Sequence, residues 1–228
     1  ISGKCLLDLV LNFAYIFEVS EAETIAMGYT PENKDDFIET VQIEAPTQSA
    51  PIVCIMDSGV QEEHKYLAPS ISSDESISLL PNNTSTSDEV AGGGHGTRVA
   101  GAVLYPKAVP LDGVYQLPCW IRNMRILDEN NCLPENVYPP KAIAIAVQKY
   151  NVENQIPTKI FNHSIGSHQP CEMKHMTPWA AEIDSQSYNH DVLFIQAAGN
   201  ISTDVISAYW QAGYPYPEYL DRELCRIS

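Results

Sequence analysis

The chain has 228 residues, 44% of them apolar, and sets 13 Lys and Arg against 29 Asp and Glu for a formal charge of −16. That apolar content excludes a disordered chain, and the length is enough for one sizeable core. The charge excludes a nucleic-acid binder and a polybasic membrane anchor, which need clustered Lys and Arg, and it leaves room for calcium or basic substrates.

The chain opens on Ile1 rather than Met, as a piece of something longer would. Its first apolar stretch, Cys5 to Phe17, is interrupted by Asp8 and Asn12 and falls short of the ~20 residues a membrane span needs. A single Lys4 and no small-residue cleavage site make it a poor secretory signal. Residues 1–49 read as a helical N-terminal extension of unknown role: an amphipathic start, a capping box at Ser20 and Glu23, a stop at Gly28, and Thr30-Pro31 opening an acidic helix. Glu44 to Pro51, with two prolines, reads as a linker to a main domain over 50–228. Six cysteines (Cys5, Cys54, Cys119, Cys132, Cys171, Cys225) are widely spaced in a domain large enough to need no disulfide framework. Reduced thiols and a cytoplasmic location are therefore expected. Secretion is the alternative, under which the sequons at Asn82, Asn83, Asn162 and Asn200 would matter.

From Pro51 the pattern alternates. Ile52–Met56 is an apolar run of strand length, residues 68–94 read as a long polar surface loop, and Gly96–Tyr105 looks helical. Trp120–Leu127 is a strand candidate, Lys141–Tyr150 a helix, Lys159–Phe161 a short strand, Trp179–His190 a helix and Val192–Ile195 a buried strand. Strands apolar on both faces, separated by helix-length segments, predict an α/β fold with a mostly parallel sheet flanked by helices.

In such folds chemistry gathers at the carboxyl ends of the strands. Asp57 ends the first strand, His95 lies among glycines at a helix start, and Asn200 follows the last strand. An acid orients an imidazole, the imidazole moves a proton, and a carboxamide donates to an oxyanion, so together they are parts of a nucleophilic hydrolase.

The local sequences carry a resemblance. Ile52-Val-Cys-Ile-Met-Asp57-Ser-Gly-Val60 resembles the aspartate motif of the subtilisin-like serine peptidases (subtilases), and Gly94-His95-Gly-Thr-Arg-Val-Ala-Gly101 is similar to their histidine motif. Phe161-Asn162-His163-Ser164-Ile165-Gly166 resembles the segment lining the primary specificity pocket, and Ala197-Ala-Gly-Asn200 the segment with the oxyanion-hole asparagine. The resemblance implies a catalytic set of Asp57, His95 and Asn200. It also implies a substrate-binding stretch of Asn162, Ser164, Ile165 and Gly166, whose backbone would take an extended peptide by β-augmentation. The glycines beside His95 should let the imidazole reach outward, and Ala100 and Gly101 should let the helix pack closely on the sheet.

The family's serine lies in a Gly-Thr-Ser motif, and no Gly-Thr-Ser occurs in this chain. Ser207 lacks the flanking residues of such a nucleophile. The expectation is a serine endopeptidase part, truncated before its nucleophile and inactive alone, with a polypeptide substrate and a complementing C-terminal segment or an oligomer partner. A non-catalytic subtilase-like binding module is the alternative. No cofactor is required. Calcium would fit the acidic loop, for example Asp74-Glu75 with Asp88-Glu89, although its ligands cannot be picked from sequence and solvated loop charge is the default. His163, His168, Cys171 and His175 match no familiar zinc spacing and read as loop residues.

Overall fold

The computed structural model describes residues 3–12, 41–91, 94–166, 176–197, 207–208 and 210–213. The chain divides into two compact units, Ile1–Ile38 and Glu39–Ser228. In the first, helix α1 spans Gly3–Asn12. The capping box at Ser20 and the acidic helix after Thr30 lie outside the described residues. Among the described residues no helix is long and apolar enough to cross a membrane.

The second unit begins with β1 (Gln42–Glu44), followed by β2 (Ile52–Asp57), β3 (Ile77–Ser78), α2 (Gly96–Leu104), β4 (Val114–Gln116) and β5 (Trp120–Arg125). Then come α3 (Pro139–Val147), β6 (Ile160–His163), α4 (Pro178–His190) and β7 (Leu193–Gln196). β1 pairs in parallel with β4, so Gln42–Glu44 belongs to this unit. The remaining strands form one sheet in the order β3-β5-β2-β6-β7, every pair parallel. The α/β fold class read from the sequence is the one observed.

Parity along β2 explains why its run is apolar throughout. Val53 and Ile55 pack with Ala100 and Leu104 of α2, whereas Cys54 and Met56 pack with Ile143, Ala146 and Val147 of α3. Both faces are covered, so neither tolerates polar residues. From β2 the chain first builds the sheet on one side, through β3 and β5, and then on the other, through β6 and β7. β2 therefore stands at the switch point, the place in open α/β sheets where ligands gather beyond the carboxyl ends of the strands.

The stretch 68–94 is more than the expected surface loop. It contains short 3-10 turns at Ala68–Ser70 and Ser73–Glu75, adds β3 to the sheet edge, and buries Ser70 and Asp88. Two buried arginines on β5 hold it down. Arg122 grips Glu75 through two nitrogens at 3.1 Å each, and Arg125 meets Glu89 at 2.9 Å and the Ser85 carbonyl at 3.3 Å. A guanidinium this deep persists only because its donors are filled, here also by the carbonyls of Tyr150 and Ile156 and the Thr158 hydroxyl.

Candidate active site

Asp57 is the last residue of β2. It shares the parity of Val53 and Ile55, so it faces α2, and it is fully buried. The chain returns to the same rim at the start of α2, whose N-cap is His95. His95 Nδ1 lies 2.6 Å from Asp57 Oδ1, and the same oxygen accepts the Ser58 backbone N–H at 2.7 Å. The His95 side chain is 38% exposed while the carboxylate beneath it is dry, so the imidazole reaches solvent and its partner does not. Burial pushes the Asp57 carboxyl above the usual aspartate range, and the hydrogen bonds from His95 and Ser58 pull the other way. Asp57 Oδ2 is buried and meets no donor among the described residues.

The glycines around His95 serve a different need from the one expected. A Cβ on Gly96 would lie 2.2 Å from the Gly59 carbonyl oxygen and 3.0 Å from the Asp57 Cβ, so the helix start can approach the strand end only without a side chain. Gly94, at φ +76°, makes room for the Asp88 carboxylate, which a Cβ would meet at 2.0 Å. Gly101 does not serve close packing, because a Cβ there would meet nothing within 4 Å; Ala100 alone is buried against the sheet.

Of the expected substrate-binding residues, Asn162 lies in β6, and Ser164, Ile165 and Gly166 follow it outside any strand. Ser164 Oγ donates to Asn162 Oδ1 at 2.8 Å, and the Ile165 side chain is buried in the core beside α3. The Ile165 carbonyl accepts from Gln196 Nε2 at 2.6 Å. Gln196 Oε1 meets His163 Nδ1 at 2.5 Å, so one side chain joins the end of β7 to the segment after β6. His163 is buried edge-on against Trp179, with ring centroids 5.0 Å apart. Asn200, His168, Cys171 and His175 lie outside the described residues. Ser207 is half-buried in a helical turn.

Among the described residues no group of three His, Cys, Asp or Glu side chains gathers as metal ligands would. Glu75 and Glu89 are held by arginines, and Asp88 turns inward to the start of α2. Sequence reasoning missed Ser58 and Asp88 as supports of His95. The only available signal was their position, one beside Asp57 and the other seven residues before His95.

A buried carboxylate paired with a solvent-reaching imidazole, at the rim of a parallel sheet flanked by helices, places the chain among α/β proteins. The subtilase family model (peptidase S8) matches residues 48–218, and the chain belongs to that family. Among solved structures, a lanthipeptide protease is 21% identical over 72% of this chain and 43% of its own, with a TM-score of 0.48. Sphericase is 21% identical over 74% and 50%, also at 0.48. The epidermin leader peptide processing serine protease of Staphylococcus aureus is 20% identical over 75% and 43%, at 0.46. The chain thus spans half or less of the length of these proteins. Comparison with curated proteins gives no match.

Proposed function

We propose that the chain is the acid–base part of a subtilisin-type serine endopeptidase. The observation that carries this reading is the 2.6 Å contact between a buried Asp57 and a solvent-reaching His95 at the rim of the sheet. In the reaction a serine Oγ adds to the peptide carbonyl carbon while His95 Nε2 takes its proton, and Asp57 stabilises the imidazolium. The tetrahedral oxyanion accepts a hydrogen bond from the Asn200 carboxamide. Collapse expels the amine, which leaves with the proton from Nε2, and water then releases the acyl group by the same route. The backbone of Ser164–Gly166 binds the polypeptide substrate as an added strand, and the Asn162–Ser164 bond supports the start of that segment.

The chain contains no Gly-Thr-Ser stretch, so the serine comes from further peptidase polypeptide, in line or as a complementing segment or partner chain. The purified chain alone is expected not to hydrolyse peptides; turnover by it that His95→Ala abolishes would overturn that statement. For the protease reading itself, the test is fluorophosphonate labelling of the protein translated through any residues after Ser228. Labelling of one serine, lost in His95→Ala and in Asp57→Asn, is expected. Labelling that survives both substitutions sinks the assignment, and a protein that takes no label at all turns the answer to a non-catalytic binding module.

A further inference from the structure

A helix start leaves backbone N–H groups without intrahelical partners, and the N-cap side chain ordinarily fills one of them. In α2 the N-cap is His95, whose side chain makes no capping bond because its ring is committed to Asp57. The donors are filled from elsewhere. The Gly96 N–H donates to Ser58 Oγ at 2.9 Å, and the Thr97 N–H to Asp88 Oδ2 at 2.8 Å. Ser58 Oγ in turn donates to Asp88 Oδ1 at 3.0 Å.

These bonds close a ring. Asp57 is bonded to His95, and their immediate successors, Ser58 and Gly96, are bonded to each other. Carboxylate and imidazole are therefore tied at two points, which fixes the His95 backbone as well as the ring contact. Asp88 clamps both sides of that ring at once. It is 4% exposed, it also accepts the Val90 N–H at 3.3 Å, and its carboxylate fills the space that Gly94 leaves. Its loop is pinned to the sheet by Arg125 through Glu89. A carboxylate at this place also suits the partial positive charge of the helix start.

We infer that Ser58 and Asp88 are positioning residues, a surrogate cap that holds the first turn of α2 so that His95 Nδ1 stays on Asp57. This rests on the proposed role of His95, and the test separates the two. In the 15N-labelled chain at neutral pH and low temperature, a far-downfield proton on His95 Nδ1 reports the bond to Asp57, and Asp57→Ala assigns it by abolishing it. Absence of that signal from the unaltered chain defeats the acid–base pair itself. With the signal present, Asp88→Ala is expected to abolish it, whereas Asp88→Asn, which keeps an oxygen for the Thr97 N–H, retains it. Thr177→Ala is the control for plain loss of a cap, because Thr177 Oγ1 caps α4 through the Ala180 N–H, so this variant should lose stability and keep the His95 signal. Should Asp88→Ala fail to fold, Ser58→Ala is read in the same way. An unchanged His95 signal in a folded Asp88→Ala or Ser58→Ala chain overturns the inference.

Discussion

His163 offers the sharpest test of the packing at the end of β6. It is 1% exposed, and burial pulls its imidazole from 6.5 down to about 4, the bond with Gln196 opposing only in part. The folded value lies below the unfolded one, so on acidification the unfolded chain takes the proton first. Stability is complete above about pH 6.5 and drains away between there and about pH 4. At about 1.4 kcal/mol per pH unit the whole loss is about 3 kcal/mol, of which about 2 kcal/mol is gone by pH 5. Glu75 and Glu89 are held below their usual 4.5. Burial opposes this at Glu75, where bonds from Arg122 and Asn154 prevail, and a bond from Arg125 is the main cause at Glu89; their losses come at lower pH. Asp57, raised by burial, works with the opposite sign, since the folded chain protonates first and gains stability as pH falls. Urea unfolding followed by tryptophan fluorescence at pH 7 and pH 5, on the parent and on His163→Met, isolates the histidine. Gln196 is exposed, so water replaces its lost partner in the variant. The parent should lose about 2 kcal/mol more than the variant on going to pH 5. Equal losses, within about 0.5 kcal/mol, would refute the reasoning.

Three further outcomes are expected. Gly96→Ala drives a Cβ into the Gly59 carbonyl, and should cost about 2–4 kcal/mol in urea unfolding or prevent folding; a neutral result means that the helix start can back away from β2. Arg122→Ala strands two backbone carbonyls and the Thr158 hydroxyl as well as Glu75, and should cost about 3–5 kcal/mol, with Arg122→Lys restoring only part because an ammonium lacks the planar fork. Cys54 is buried and its thiol is pushed well above the usual range by that burial, so maleimide at pH 8 should leave it unmodified in the native chain and modify it in urea, while the exposed Cys132 reacts in both; peptide mapping by mass spectrometry reads each site.

Much of the sheet was legible because β2 and β7 carry apolar runs long enough to stand out, while β5 and β6 showed only shorter apolar stretches broken by Arg122, Asn123, Arg125, Asn162 and His163, and the glycine-framed His95 marked the start of α2. The short strands β1, β3 and β4 left no such trace, since two or three residues cannot show a period. Helix α3 begins at Pro139, two residues before the expected start, because proline suits a first helical turn. Its expected last residue, Tyr150, lies instead in a π-helical turn over Gln148–Val152, where the Tyr150 carbonyl accepts from Thr158 N–H and Arg122. Asp88 was illegible for a more basic reason. Its neighbours Ser58 and Thr97 are 30 and 9 residues away, and nothing in an acidic, polar loop separates a carboxylate that turns inward from one in water.

Register decides whether such a site can exist at all. Asp57 faces α2 only because it is two residues beyond Ile55; a slip of one position would turn it toward the face that α3 covers with Ile143 and Val147. With the register kept, β2 ends and α2 begins at one rim, so the strand's last carboxylate meets the residue before the helix. That meeting has an electrostatic cost, because a helix start carries partial positive charge and is a poor neighbour for the imidazolium of the proposed mechanism. Two carboxylates offset it: Asp57 in direct contact with the ring, and Asp88 on the second N–H of the helix. Asp88 therefore bears on His95 by geometry and by charge together. Asp88→Asn, which retains an oxygen and removes the charge, should leave the His95 signal in place while lowering kcat in the complete peptidase more than it changes KM. Equal kcat in the two enzymes would show that the geometry alone matters.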